Sequence, residues 1–243
     1  MVKIIYLIIL IYFILGGIGF YLINRNKTLE IARKSYTKFG VYFIIVNILF
    51  FSIVIKNPIF RYVAIFIIII GFFELLKLFR GSGFKQRAFF CYSVLIYIVL
   101  STGFYFFSGF EKELILFSFL VLSIFDSFSQ ITGQLFGGRK ILPDISPNKT
   151  LGGLVGGAFI AISSALLLGK LYNGTIVQEL LAATGIVIFA FAGDVLASLY
   201  KRKYNVKDYS NLIPGHGGFL DRFDSLLAGG AWITFSFYVL GFH

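Results

Sequence analysis

Charged residues are scarce in this chain, and cysteine is almost absent. Only 14% of the 243 residues are charged, 58% are apolar, and the mean hydropathy is +0.89. A soluble domain of this length would not have such a composition. The single cysteine, Cys91, excludes both a disulfide within one chain and a cysteine-rich metal site. The composition therefore indicates an integral membrane protein.

Long apolar runs recur along the whole chain, and most approach the roughly 20 residues that a helix needs to cross a bilayer. They cover residues 4–23, 39–55, 59–79, 88–107, 114–136, 151–171, 176–200 and 226–242. We therefore predict an all-α integral membrane protein, a polytopic bundle of about eight transmembrane helices. Asp126 interrupts the run at 114–136, which predicts either one polar-faced helix or a broken pair.

Basic residues cluster in alternate connections between these runs. The connections after the first, third, fifth and seventh runs carry most of them, namely Arg25, Lys27, Arg33, Lys34, Lys38, Arg80, Lys85, Arg87, Arg139, Lys140, Lys149, Lys201, Arg202, Lys203, Lys207 and Arg222. The bias predicts that these loops face the cytoplasm and that both termini lie outside. The net charge is +11, and the basic residues lie at helix ends and in short loops. This placement favours anionic lipid headgroups and a nucleotide triphosphate as partners, and it argues against nucleic acid.

One carboxylate lies deep in the seventh apolar run. Asp194 precedes Lys201 by seven residues, which places it roughly 10 Å below the basic helix end. An intramembrane carboxylate persists only beside water, a cation or a basic partner, so it is a functional candidate. Asp194, Ser198, Lys201 and Arg202 follow helical spacing and share one face. The alternative is a polar stripe that joins neighbouring helices.

A Pro-Gly-His-Gly-Gly turn at 214–218 follows this run. Gly217 and Gly218 let the backbone approach a ligand closely and form an anion-binding nest. A helix that begins near Phe219 would present Asp221 and Asp224 on one side, with Arg222 beside them. Carboxylates next to basic residues are the usual arrangement for holding Mg²⁺ against phosphate oxygens. We favour a positioning role for His216 over proton transfer, because positioning dominates phosphoryl-type transfers.

A second polar segment spans residues 126–157. Asp126, Ser129, Gln130, Gly133 and Gln134 form a polar face within the fifth run. Downstream, three residues just ahead of the sixth run offer hydroxyls and a lysine at a helix N-terminus, a plausible phosphate site; they are Ser146, Lys149 and Thr150. Ordinary N-capping by Ser146 or Thr150 is the alternative.

The segment SLYKRKYNVKDYSNLIPGHGGFLDRFD, at 198–224, resembles the signature of the phosphatidate cytidylyltransferases, also called CDP-diacylglycerol synthases. The resemblance extends back to Asp126, whereas residues 1–110 match only as hydrophobic helices. It implies transfer of a cytidylyl group from CTP to phosphatidic acid, with Mg²⁺ as cofactor and pyrophosphate as second product. It also implies a bacterial plasma-membrane homodimer with a catalytic region at 111–243 whose site faces the cytoplasm.

The resemblance implies roles for individual residues. Asp194 and Asp221 are the metal carboxylates that it favours, with Asp224 and Asp126 as further ligands. The catalytic set comprises Asp194, Asp221, Lys201, Arg202 and His216. The substrate-binding set comprises Ser146, Lys149, Thr150, Ser198, Lys207, Asp208, Gly217, Gly218 and Arg222.

Four positions depart from the family pattern, and one of them, Tyr200, mildly replaces a more usual aliphatic residue. Gly152 and Ala197 stand where family members commonly carry glutamate, and Gln130 stands where an aromatic residue is common. The departures leave other functions open: a CTP-dependent transferase with another lipid acceptor, an inactive homologue that binds lipid or nucleotide, and a transporter. Glu74 and Lys77 are expected to pair at a helix end.

Overall fold

The computed structural model is a helical bundle, and it describes residues 2–55, 57–214 and 217–241. Eight α-helices lie in these ranges: α1 Val2–Asn24, α2 Leu29–Ile55, α3 Asn57–Gly81, α4 Arg87–Phe107, α5 Lys112–Phe136, α6 Leu151–Leu167, α7 Ile176–Lys203 and α8 Leu220–Tyr238. Two short strands, β1 Lys140–Leu142 and β2 Ser146–Thr150, lie between α5 and α6. A 3-10 turn at Gly169–Leu171 precedes α7.

Each predicted apolar run corresponds to one helix. Five of the described helices, α2, α3, α4, α5 and α7, are long and apolar enough to cross a membrane. The prediction of about eight transmembrane helices is therefore supported for these five. Helix α6 is shorter, at 17 residues. Asp126 does not break α5, which is a single helix from Lys112 to Phe136. Helix α8 starts earlier than its apolar run, at Leu220, and so includes Asp221 and Asp224.

The connection from α5 to α6 is a β-hairpin, which the sequence analysis did not predict. Its strands pair antiparallel, with Lys140 opposite Thr150 and Leu142 opposite Ser146. Thr150 then caps α6, because its hydroxyl accepts a hydrogen bond from the Gly153 N–H at 3.2 Å. The capping alternative is therefore confirmed for Thr150. For Ser146 it is wrong, because this residue lies in β2, away from the helix start.

Helices α5 and α6 pack closely along a row of small residues. A β-carbon on Gly157 would lie 2.8 Å from the Ser129 backbone nitrogen, and one on Gly156 would lie 2.7 Å from the Thr132 side chain. The Thr132 hydroxyl also donates a hydrogen bond to the Gly153 carbonyl at 3.3 Å. Where glycines line the contact, two helices approach each other until their backbones touch. This packing holds the polar face of α5 against the start of α6.

We predict that Gly157→Ala destabilises the protein by about 1–3 kcal/mol, because the added methyl group overpacks the contact between α5 and α6. Thermal unfolding in detergent measures the effect. Gly40→Ala is the matched control: Gly40 lies within α2 and a β-carbon there meets nothing within 4 Å. That variant should be neutral or gain up to about 1 kcal/mol from helix propensity. Equal unfolding midpoints for the two variants would contradict the close packing.

Candidate active site

The two polar segments meet at one end of the bundle. Arg202, in the last turn of α7, donates a hydrogen bond from Nε to the Ile145 carbonyl in the hairpin at 3.2 Å. Its Nη1 donates to the Val206 carbonyl at 2.9 Å. The guanidinium therefore joins the hairpin to the loop between α7 and α8. The two segments therefore lie at the same end of the bundle.

Asp194 is held by two partners from its surroundings. The Lys149 ammonium, at the end of β2, lies 2.5 Å from Asp194 Oδ2. The Ser198 hydroxyl, one turn along α7, donates to Asp194 Oδ1 at 3.3 Å. Lys149 also lies over the Phe191 ring, 4.5 Å from its centroid. The costly carboxylate of α7 thus has a basic partner, as its depth in the apolar run required.

Asp221 is the second carboxylate with a lysine partner. Its Oδ1 forms an ion pair with Lys201, and its Oδ2 accepts hydrogen bonds from the N–H groups of Tyr209 at 3.0 Å and Gly218 at 2.8 Å. Both side chains of the pair are buried. Lys201 shares a face of α7 with Asp194, as predicted, yet it pairs with Asp221 on α8. The pair closes the loop that joins the two helices.

Tyr209 supports this loop from inside. Burial raises the pKa of Tyr209 well above its usual range, and the nearby carboxylates of Asp224 and Asp221 raise it further. The neutral phenol donates a hydrogen bond to the Ala197 carbonyl at 3.1 Å, and its ring lies 5.4 Å from the Lys201 ammonium. The tyrosine was not singled out from the sequence, because nothing distinguishes it from the many other aromatic residues of the chain.

Two further carboxylates lie near Asp194 between α5, α7 and α8. Asp126 and Asp224 each lie within electrostatic range of Asp194. Lys149 and Arg222 also interact with Asp126. A β-carbon on Gly193 would lie 2.7 Å from the Asp224 carbonyl oxygen, so the close approach of α7 and α8 depends on this glycine. The like charges repel, which makes the cluster suited to a cation or to basic groups.

The donor chemistry of this cluster suits a hard cation such as Mg²⁺. In the part of the chain that is described, no group of three or more His, Cys, Asp or Glu side chains is placed to hold a metal ion. Mg²⁺ usually keeps several waters and takes one or two carboxylates together with substrate phosphates. One or two of Asp126, Asp194 and Asp224 would fit that requirement, whereas both oxygens of Asp221 are already engaged by Lys201, Tyr209 and Gly218.

Most of the remaining predicted residues lie in the loop between α7 and α8, and one, Ser146, lies in the hairpin. Gly217 has a φ of +88°, which favours glycine, and its N–H and carbonyl pair with Ile213. Lys207 and Asp208 are exposed, and a β-carbon on Gly217 would lie 2.9 Å from Asp208 Cγ. Ser146 is half-buried in β2. The predicted role of His216 falls outside the described residues, as does Gly215.

Glu74 on α3 was missed as a site residue, and its expected pairing with Lys77 is wrong. Both of its carboxylate oxygens accept hydrogen bonds from the loop and the start of α8, where Phe219 N–H and Leu220 N–H lie 2.8 and 2.6 Å away. Glu74 is 2% exposed. The rule that singled out Asp194, a carboxylate within an apolar run, applies equally to Glu74 and could have found it.

The structure explains one of the two absent glutamates. A β-carbon on Gly152 would collide with the Phe136 carbonyl oxygen and lie 2.9 Å from its carbon, so a glutamate does not fit while α5 ends where it does. Ala197 is buried, and its carbonyl receives the Tyr209 hydroxyl. Nothing in the structure explains why alanine stands there.

Comparison with known proteins agrees with the signature. Phosphatidate cytidylyltransferases of Haemophilus influenzae and Staphylococcus saprophyticus are 39% and 42% identical to this chain over 135 and 115 residues. These alignments cover 52% and 46% of this chain and 46% and 44% of the two relatives. An Escherichia coli K12 protein named YnbB, described as uncharacterized, is 43% identical over 115 residues, covering 47% of this chain and 39% of YnbB.

The chain spans about half the length of the curated relatives it matches. A family model described as "Cytidylyltransferase family" matches residues 1–240, nearly the whole chain. The sequence signature, the carboxylates with their lysine partners and this match agree with one another. The chain belongs to the cytidylyltransferase family.

Proposed function

We propose that the protein transfers the cytidylyl group of CTP to phosphatidic acid, forming CDP-diacylglycerol and pyrophosphate. One observation carries the proposal: at one end of an apolar bundle, the carboxylates Asp126, Asp194 and Asp224 converge with the basic residues Lys149 and Arg222. Such a mixture of charges suits a triphosphate that arrives with a divalent cation. The names of the relatives supply the chemical identity of donor and acceptor.

In the proposed reaction, an oxygen of the lipid phosphate attacks the α-phosphorus of CTP. The bond to the bridging oxygen breaks, and pyrophosphate leaves with the electron pair. Lys149 and Arg222 bind phosphate oxygens and hold the α-phosphorus in line with the attacking oxygen. One or two of the carboxylates Asp126, Asp194 and Asp224 would hold Mg²⁺, which when bound neutralises charge on the triphosphate and on the leaving group. The nucleophile is already anionic near neutral pH, so no general base is required.

The pairing of Lys149 with Asp194 supports this assignment. Lys149 lies against Asp194, so a bound phosphate would compete with a carboxylate for the ammonium group. Exchange of that partner frees Asp194 for a cation at the moment the phosphates arrive. Nucleotide and cation are therefore expected to bind together, each compensating the charge that the other leaves unpaired.

The apolar bundle supports a lipid acceptor. Large aliphatic and aromatic side chains remain exposed on the described helices, among them Ile69 and Phe73 on α3. Exposed apolar surface of this extent indicates contact with lipid. We propose that the protein resides in a bacterial plasma membrane with the site on the cytoplasmic side, where the basic loops belong. The lipid tails would then stay in the bilayer while the headgroup reaches the carboxylates.

We predict that Asp194→Asn lowers Mg²⁺-dependent product formation by about 10²–10³-fold, because the site loses a charge that binds the cation during the transfer. Conversion of radiolabelled CTP and phosphatidic acid by purified protein measures the effect. Glu111→Gln, an exposed position at the start of α5 on the other side of the bundle, serves as the control. Wild-type activity in Asp194→Asn would show that this carboxylate takes no part in the reaction.

We predict that Lys149→Ala raises the KM for CTP and lowers kcat/KM by about 10²-fold, through loss of a charged phosphate contact. Steady-state kinetics at saturating phosphatidic acid test this. Lys77→Ala, an exposed lysine of α3 near the same end of the bundle, is the matched control and should leave both constants unchanged. An unchanged KM for CTP in Lys149→Ala would assign Lys149 a structural role only.

Restoring the family glutamate at 152 should lower activity. Gly152→Glu would push the start of α6 away from the end of α5, where the Phe136 carbonyl leaves no room for a side chain. We expect loss of product formation together with a lower unfolding midpoint in detergent. Higher activity in this variant would mean that the glycine impairs an otherwise ordinary site.

The same assay separates the second candidate, a CTP-dependent transferase acting on another lipid acceptor. The glycine at 152, where family members commonly carry glutamate, favours keeping this candidate. Product from a polyprenyl phosphate but none from phosphatidic acid would select it.

A further inference from the structure

We propose that Glu74 is a positioning residue, which fixes the start of α8 and thereby sets the positions of Asp221 and Asp224. The inference rests on the proposed function, because the reaction it serves is cytidylyl transfer. Glu74 lies on α3, far along the chain from the signature segment at 198–224. We infer its role only from its hydrogen bonds to the signature segment.

The Glu74 carboxyl group binds three donors of that segment. Oε1 accepts hydrogen bonds from the Ser210 hydroxyl at 2.5 Å and from the Phe219 N–H at 2.8 Å. Oε2 accepts from the Leu220 N–H at 2.6 Å. These two N–H groups belong to the start of α8 and lack partners within the helix. The carboxyl group therefore serves as the cap of α8, supplied by another helix.

The adjacent donors of the same segment bind Asp221. The N–H of Gly218 goes to Asp221 Oδ2, whereas the next two N–H groups, those of Phe219 and Leu220, go to Glu74. A β-carbon on Gly218 would lie 2.8 Å from Asp221 Oδ2 and 2.9 Å from Glu74 Oε1. The backbone thus passes between two carboxyl groups with no room for a side chain. A shift at Glu74 is transmitted directly to Asp221.

Helix α3 anchors α7 at the same level. The Tyr200 hydroxyl donates a hydrogen bond to the carbonyl of Leu75, the residue after Glu74, at 2.8 Å. Successive residues of α3 therefore hold both helices that carry the site, α7 through Leu75 and α8 through Glu74. Asp194 belongs to the first of these helices and Asp224 to the second. Their spacing depends on this common support.

A tether that only stabilises the fold would lower the unfolding midpoint and leave turnover by the folded molecules unchanged. A positioning residue instead lowers kcat more than it raises the KM for CTP, because reacting groups are misplaced in the transition state. Glu74→Gln suits the test, since its size is conserved while its amide N–H faces the Leu220 N–H. Ser210→Ala removes one donor and keeps both backbone hydrogen bonds, so it should give a smaller effect in the same direction.

The experiment uses the full chain in detergent with Glu74→Gln, Ser210→Ala and the control Glu111→Gln. Amide hydrogen exchange is followed at Phe219 and Leu220, and at Gly218 and Tyr209, whose N–H groups bind Asp221. Kinetics with CTP and phosphatidic acid are measured on the same samples. We expect faster exchange at all four amides in Glu74→Gln, and kcat lowered on the order of 10- to 100-fold with a smaller change in KM.

Unchanged exchange at Gly218 and Tyr209, or a wild-type kcat in Glu74→Gln, would overturn the proposal. If Glu74→Gln does not fold, Ser210→Ala is judged by the same two criteria. If the wild-type protein forms no product, cytidylyl transfer to phosphatidic acid fails as the function. In that case the exchange rates alone decide whether Glu74 holds Asp221 in place.

Discussion

The compensation of carboxylates within an apolar bundle is the constraint on which this structure depends. Removing a carboxylate from water costs several kcal/mol unless opposite charge or hydrogen-bond donors replace the water. Asp194 receives Lys149, Asp221 receives Lys201, and Glu74 receives the backbone N–H groups of α8. These partners come from different elements, so satisfying the carboxylates also assembles the end of the bundle.

Close helix packing makes this compensation geometrically available. Gly153 and Gly157 let α6 lie directly against α5, which brings the hairpin with Lys149 towards Asp194 on α7. Gly193 does the same between α7 and α8 and brings Asp194 towards Asp224. The glycines therefore set the distances between helices, and these distances determine which charged residues interact.

The apolar runs predicted the helices well, because length and hydrophobicity determine which segments can be buried in a bilayer. The same reasoning identified Asp194, but the apolar run at 226–242 missed the first turn of α8, which starts at Leu220. It did not predict the β-hairpin, since strands of three and five residues carry no periodic signal of their own. It placed Lys201 on the same face of α7 as Asp194, but it did not predict that the lysine pairs with Asp221, a contact set by the path of the loop.

Glu74 shows the limit of reading polar residues by their neighbours in the sequence. Its partners lie more than a hundred residues away, so no local spacing reveals them. The signature motifs are equally silent about Glu74, because the segments that carry them begin only at Asp126. An N-terminal helix, α3, nonetheless contributes to the site, because the Glu74 carboxyl group accepts hydrogen bonds from the signature loop.

The most direct test of the central claim follows the two ends of CTP separately. Purified protein is incubated with phosphatidic acid, Mg²⁺ and CTP labelled at the α-phosphorus in one sample and at the γ-phosphorus in another. Cytidylyl transfer predicts that the α label enters the lipid and that the γ label leaves as pyrophosphate. Lipid carrying the γ label, or unlabelled lipid in both samples from folded protein, would contradict the account.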